Sequence, residues 1–137
     1  MTEINDVGEF LKKHDIKPSY QRIKIFEYLL DNRIHPTVDE IFKALISNIP
    51  TLSKTTVYNT LKLFADKQIV IIINIEDNET RYDADVSNHG HFKCIKCGEI
   101  YDFDIDLEKV GLLDHVSFDI KEYHFYLKGL CDKCKST

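Results

Sequence analysis

No apolar run in this 137-residue sequence approaches the roughly 20 residues that a membrane-spanning helix needs. No signal-peptide pattern opens it, no low-complexity tract interrupts it, and no repeat is visible beyond one doubled cysteine pair. These absences lead to the expectation of a cytoplasmic protein with no membrane partner, folded as one domain or two small ones. Basic charge is also in short supply. The 18 Lys/Arg against 23 Asp/Glu give a formal net charge of −5, which over the whole chain argues against a nucleic-acid binder. One region reverses that balance: between Phe10 and Lys67 ten Lys/Arg stand against six Asp/Glu, and the acidic excess lies from Glu76 onward. Such a division is expected if only the N-terminal part meets phosphate.

What is present suffices for a packed core, with 43% hydrophobic residues and 11% aromatics. Cysteine is scarce but paired. Cys94 and Cys97 form a C-x2-C followed by Gly98, and Cys131 and Cys134 form a second after 33 intervening residues. Two such pairs read as a closed, structural four-thiolate Zn site. In a reducing compartment this reading outweighs a disulfide-bridged secreted domain. The loop between the pairs is long for a zinc ribbon and should contain structure of its own.

His89 and His91 precede the first pair on the same stretch. Residues two apart in an extended segment point to one face, so both imidazoles can approach one ion while Phe92 faces the core. Gly90 keeps the opposite face small. Further ligands for such a nitrogen/oxygen site are available at Asp83 and Asp85 upstream, Asp102 and Asp104 on the next strand, and His35 far earlier. Each also has an ordinary role: a turn for Asp85, a helix cap for Asp104, a capping or solvent position for His35. Imidazoles with carboxylates favour Fe(II) or Mn(II), although Zn would also bind there.

In chain order, Asn5 to His14 carries Val7, Phe10 and Leu11 at helical spacing. Pro18 is suited to opening the next helix, and Ser19 to Asn32 places Ile23, Phe26, Leu29 and Leu30 on one stripe. Thr37 and Glu40 form a capping box for a helix carrying Ile41, Leu45 and Ile46 and ending near Asn48. Ser53 caps a helix over Lys54 to Lys67, packed through Val57, Leu61 and Phe64. A strand over Ile69–Ile75, a turn at Glu76-Asp77-Asn78 and a return over Thr80–Tyr82 complete a winged-helix pattern. Beyond it come strands at His91–Cys94 and Glu99–Phe103, a helix over Asp106–His115 and a strand over Phe118–Leu127. The fold class expected is α+β: an N-terminal winged-helix DNA-binding domain over residues 1–83 and a small α/β domain over 84–137.

The helix opened by Ser53 leaves Lys54, Thr55, Thr56, Tyr58, Asn59 and Lys62 off its packing stripe. Lys suits phosphates, Asn an adenine edge, and Thr or Tyr a thymine methyl. A solvated face would have a similar composition. Position as the second helix of a helix-turn-helix favours DNA. Lys17 and Arg22 flank Pro18 and would add backbone or minor-groove contacts. Tyr20 is expected in the core, and Tyr58 could be.

The ordered set His35, Thr55-Thr56-Val57-Tyr58, Asp83, His89-x-His91-x2-Cys94-x2-Cys97, Asp102, His124 and Cys131-x2-Cys134 resembles the ferric uptake regulator (Fur) family over nearly the whole chain. Iron-sensing members have a His-His-Asp-His stretch and a downstream Glu. Here Asn88-His89-Gly90-His91 and Asp102 are similar to the peroxide-sensing (PerR) branch instead. The resemblance implies that residues 84–137 form a dimerisation and metal-binding domain, and that a regulatory Fe(II) or Mn(II) is held by His35, Asp83, His89, His91 and Asp102, with His35 and His89 as oxidation targets. Asn88 and Gly90 stand where a further family site has His and Asp, and His124 matches that site.

The function this implies is a metal-dependent, dimeric transcriptional repressor on an operator expected to be palindromic, sensing hydrogen peroxide through Fe(II)-driven oxidation of a ligand histidine. A Fur-type iron or other metal sensor without oxidation is the alternative. A non-haem iron enzyme is more distant, because the proposed ligands span two small domains and no substrate-pocket signature is visible; the chain is not expected to be an enzyme.

Overall fold

A computed structural model of the protein describes residues 6–32, 35–74, 79–86, 89–106, 117–119 and 124–136, with the backbone alone at His89. The chain divides into two compact units, Met1–Val86 and Ser87–Thr137. That division falls three residues beyond the domain boundary expected after Asp83.

The first unit is built on helices α1 (Val7–Lys13), α2 (Tyr20–Asp31), α3 (Val38–Leu45) and α4 (Lys54–Asp66). All four begin at a side-chain cap. Asp6, Ser19, Thr37 and Ser53 accept from the backbone N–H of Glu9, Arg22, Glu40 and Thr56 at 3.0–3.2 Å. Each cap satisfies a donor that the helix itself leaves orphaned. Ser19 and not Pro18 marks the start of α2, since Pro18 lies outside the cap.

α1 and α4 stop in the same way. Asp15 and Gln68 adopt left-handed backbone (φ 59° and 62°), and the next residue's N–H returns to the carbonyl five back, Ile16 to Leu11 and Ile69 to Phe64. All four of those apolar side chains are buried, the hydrophobic contact that accompanies this helix ending. The core then joins Leu11, Ile25, Phe26, Leu29, Ile41, Val57, Leu61 and Phe64, with Phe26 and Phe64 edge-to-face at 5.5 Å. Tyr20 does not belong to it. Its ring is 59% exposed beneath the Lys24 ammonium, because the first turn of α2 presents it outward.

Strands β1 (Ile71–Ile73) and β2 (Arg81–Asp83) form an antiparallel ribbon, the wing of a winged helix. They are shorter than expected, and Ile69 and Val70 are buried core residues ahead of the strand. The expected turn at 76–78 lies outside the described residues.

The second unit is a three-stranded sheet in the order β4 (Ile100–Asp104), β3 (His89–Cys94), β5 (Tyr126–Gly129). β4 pairs with β3 antiparallel, and β5 pairs parallel on the other edge. β4 and β5 thus lie on opposite edges of β3, and the helix expected over Asp106–His115 falls outside the described residues from 107 onward. The last strand is displaced from Phe118–Leu127 to Tyr126–Gly129, and Phe118 and Asp119 are not extended into a sheet. The architecture is α+β. Among the described residues no helix is long and apolar enough to cross a membrane.

Candidate metal centres and nucleic-acid face

Cys94 ends β3, and the chain turns at once: the Gly98 N–H donates to the Cys94 carbonyl at 2.9 Å, with Gly98 itself at φ +79°. That left-handed position suits glycine, which has no Cβ to clash. A second turn folds Cys134 and Lys135 N–H groups onto the Cys131 carbonyl at 3.0 and 2.9 Å. Pairing of Cys94 with Gly129 across β3 and β5 brings the two turns together. The four Sγ atoms lie within 4.8 Å of one another, and Cys97 Sγ is 3.9 Å from Cys131 Sγ. Thiolates bound at about 2.3 Å to a tetrahedral Zn are separated by about 3.8 Å, so this set fits that ion.

The surroundings of the sulfurs favour the same reading. Backbone N–H groups of Cys97 and Cys131 both donate to Cys94 Sγ at 3.5 Å and hold its thiol down to about 6. Cys134 is pushed up to about 12, chiefly because its hydrogen bond is shared with Cys131. One thiolate is thus stabilised at the expense of another, and a divalent cation is what allows all four to ionise together. None of the four cysteines is in a disulfide. The Tyr101 hydroxyl also engages Cys131, which raises Tyr101 to about 12; Cys131 is drawn down first by the Cys134 N–H and then by that hydroxyl. Strand periodicity marks Tyr101 only as a neighbour of Phe103, so this role was not readable from sequence.

In the first unit His35 and Asp83 are 4% exposed each, and His35 Nε2 lies 3.5 Å from Asp83 Oδ2. The other carboxylate oxygen, Oδ1, accepts from the Asp85 N–H at 2.9 Å, which fixes the plane of the group and gives Asp85 its turn role. In the second unit the register sets His91 opposite Asp102, and His91 Nε2 is 3.4 Å from Asp102 Oδ1. His89 is opposite Asp104 by backbone register; its side chain lies outside the described residues. Both His–Asp separations exceed the about 2.7–2.9 Å of a charge-assisted hydrogen bond. They approach the about 3.0–3.4 Å between two atoms that each sit about 2.1 Å from one ion. Each pair thus offers one nitrogen and one oxygen donor of the kind a first-row cation takes. His124 is exposed, its Nδ1 3.3 Å from the Tyr126 hydroxyl.

On α4, Lys54, Thr55, Tyr58, Asn59 and Lys62 are exposed. Thr56 is half-buried and shares a 2.9 Å hydrogen bond with the Ser53 cap, so its hydroxyl serves the helix start. Lys54 contacts Asp39 of α3 at 2.6 Å and lies over the Phe42 ring. Lys17 is exposed, while Arg22 donates through Nη1 to the Lys17 carbonyl at 2.9 Å and braces the entry to α2.

The sequence profile described as the Ferric uptake regulator family matches residues 13–112. The peroxide-responsive repressor PerR of Staphylococcus epidermidis is 38% identical over 136 residues, covering 97% of this chain and 91% of that protein. The solved PerR of Streptococcus pyogenes, whose structure was described as a basis for peroxide sensing and gene regulation, is 31% identical with a TM-score of 0.53, covering 92% of this chain and 88% of that one. The ferric uptake regulator of Helicobacter pylori superposes with a TM-score of 0.79 over 100% of this chain and 99% of that one, at 18% identity, a likeness of fold. With a match of that extent joined to paired thiolates and an α4 set behind a wing, the chain is a member of the ferric uptake regulator family.

Proposed function

We propose that this protein is a metal-dependent, dimeric transcriptional repressor that senses hydrogen peroxide through oxidation of a ligand histidine. The observation that carries the reading is the donor chemistry of the two His–Asp pairs, in a chain 38% identical to a peroxide-responsive repressor. His35, Asp83, His89, His91 and Asp102 would hold the regulatory Fe(II) or Mn(II), and the four cysteines a structural Zn. Residues from both units holding one ion would couple metal occupancy to DNA affinity, an effect commonly worth ~1–3 kcal/mol.

Fe(II), when bound, supplies the electrons that cleave the O–O bond of peroxide beside the ligand imidazoles. The chain's residues do the rest. Asp83, held flat by the Asp85 N–H, presents one oxygen toward His35. Asp102, on the rim of its sheet, is shorter by one methylene than a Glu and sets a different reach toward the ion. Exposed Tyr58 and Asn59 would read bases in a palindromic operator, with Lys54, Lys62, Lys17 and Arg22 at its phosphates and Thr55 and Thr56 beside them. Exposed apolar side chains in the second unit, Ile95 at 66% and Leu127 at 52% among them, are surface that a second copy would cover.

Peptide mapping after a brief peroxide pulse tests the reading. The Fe(II) form should gain one oxygen at His35 or His89 and release operator DNA, and the Mn(II) form should do neither. Unmodified His35 and His89 with DNA binding intact would leave a metal-responsive repressor without oxidation chemistry.

A further inference from the structure

We propose that Arg81 is a positioning residue that sets His35 in place as a metal ligand and links it to the first turn of α3. The inference rests on the reading of His35 and Asp83 as ligands. His35 has left-handed backbone, φ +57°, and is followed by Pro36, which narrows its choices further. A non-glycine residue stays in that region only where its surroundings hold it there. Arg81 supplies the hold: its Nη1 donates to the His35 carbonyl at 3.1 Å. Around the same guanidinium stand Glu40 Oε1 at 3.7 Å and Glu79 Oε2 at 3.3 Å, with the Arg81 side chain only 17% exposed.

The backbone repeats the attachment. Thr37 bridges to Arg81, and the Tyr82 N–H donates to the Pro36 carbonyl at 3.0 Å, so residues 35–37 lie along β2. Arg81 and Asp83 share a strand and a face, being two apart. One strand therefore grips His35 twice, the guanidinium at its carbonyl and the carboxylate at its ring. Glu40 extends the link, since its side chain also accepts from the Thr37 hydroxyl that caps α3. A lysine at position 81 could reach the carbonyl but could not also fork to Glu79, which the second guanidinium nitrogen holds.

The test uses the full-length, zinc-loaded protein and Mn(II) alone as probe, with free Mn(II) followed by electron paramagnetic resonance. Arg81→Gln should weaken Mn(II) binding about 10–100-fold, the usual effect of removing a partner behind a ligand, and Arg81→Lys should weaken it less. Both should keep the parent's Zn content and helical circular dichroism. In the metal-free protein, amide exchange at Tyr82 should be faster in Arg81→Gln than in the parent. Parent-like Mn(II) affinity in Arg81→Gln, with affinity lost in His35→Ala and Asp83→Ala, overturns the positioning role and leaves the ligand reading intact. Parent-like affinity in His35→Ala overturns both. Should Arg81→Gln not fold, Arg81→Lys decides: parent-like Mn(II) affinity and Tyr82 exchange there overturn the proposal.

Discussion

In the helical unit Leu11, Ile25, Phe26, Leu29, Ile41, Val57, Leu61 and Phe64 are almost wholly removed from solvent. Among the described residues of the sheet unit, the buried side chains are Cys94, Cys131 and His91, and only Cys94 is buried to that degree. The two units are therefore held by different means. The first buries apolar side chains around a helical core and closes each helix end with its own cap. The second spans residues 87–137, a length at which a hydrophobic core alone is seldom enough and a metal commonly substitutes for it. Its strands expose Leu127 and Tyr101, and its four sulfurs gather within 4.8 Å of one another.

The largest expected effect comes from removing the thiolate centre. Cys94→Ser, or Cys131→Ser, should lose Zn and unfold the sheet unit, since coordination of this type contributes about 10–16 kcal/mol in zinc-finger peptides. Amides of α1 to α4 should keep their protection from hydrogen exchange. Loss of protection in all four helices alongside the Zn would break the contrast between the units.

The reciprocal change is Phe64→Ala, which deletes a fully buried ring that packs edge-to-face on Phe26. It should cost about 3–5 kcal/mol in denaturant unfolding of the helical unit. Zn content should stay stoichiometric. A cost under about 1 kcal/mol would mean that packing is not what holds the helical unit.

The smallest effect concerns surface charge in the same unit. Asp39 accepts from Lys43 at 2.8 Å and Lys54 at 2.6 Å, and these contacts, Lys43 first, hold its carboxyl down to about 2 from an ordinary 3.8. A depressed carboxylate favours the folded state fully above its ordinary range and loses that contribution as pH falls through about 2. All three side chains are largely exposed, so Asp39→Asn should leave the melting temperature near that of the parent at neutral pH. A carboxyl titration by NMR with its midpoint near 3.8 would remove both lysine contacts.

Much of the helical unit was legible because its signals are local. Thr37 and Ser53 each cap the helix that begins one residue later, and the stripe through Val57, Leu61 and Phe64 buries as its spacing implies. Tyr20 misled because an aromatic near a helix start carries no mark of which way it points. The last strand was misplaced for a tertiary reason. Gly129 has little preference for strands, yet its pairing with Cys94 brings Cys131 to the first cysteine turn. The C-x2-C pairs were visible by spacing alone. The approach of His35 to Asp83, 48 positions apart, was legible only through family resemblance. The grip of Arg81 had no signature, since it ends on a backbone carbonyl that every residue possesses.

Gly90 lies opposite Phe103 in the β3–β4 register, and a Cβ added there would stand 2.4 Å from the Phe103 ring, with Ile105 at 3.0 Å. An aromatic side chain thus occupies the volume that any larger residue at position 90 would need. The order in which positions 90 and 103 are changed therefore matters. Gly90→Asp, a step toward the His-His-Asp-His stretch of iron-sensing relatives, collides with the ring unless Phe103 has first become smaller. Phe103→Ala in turn opens a gap over Gly90 beside Ile105. Each single change is expected to cost stability, and making Phe103 smaller before enlarging position 90 avoids the collision.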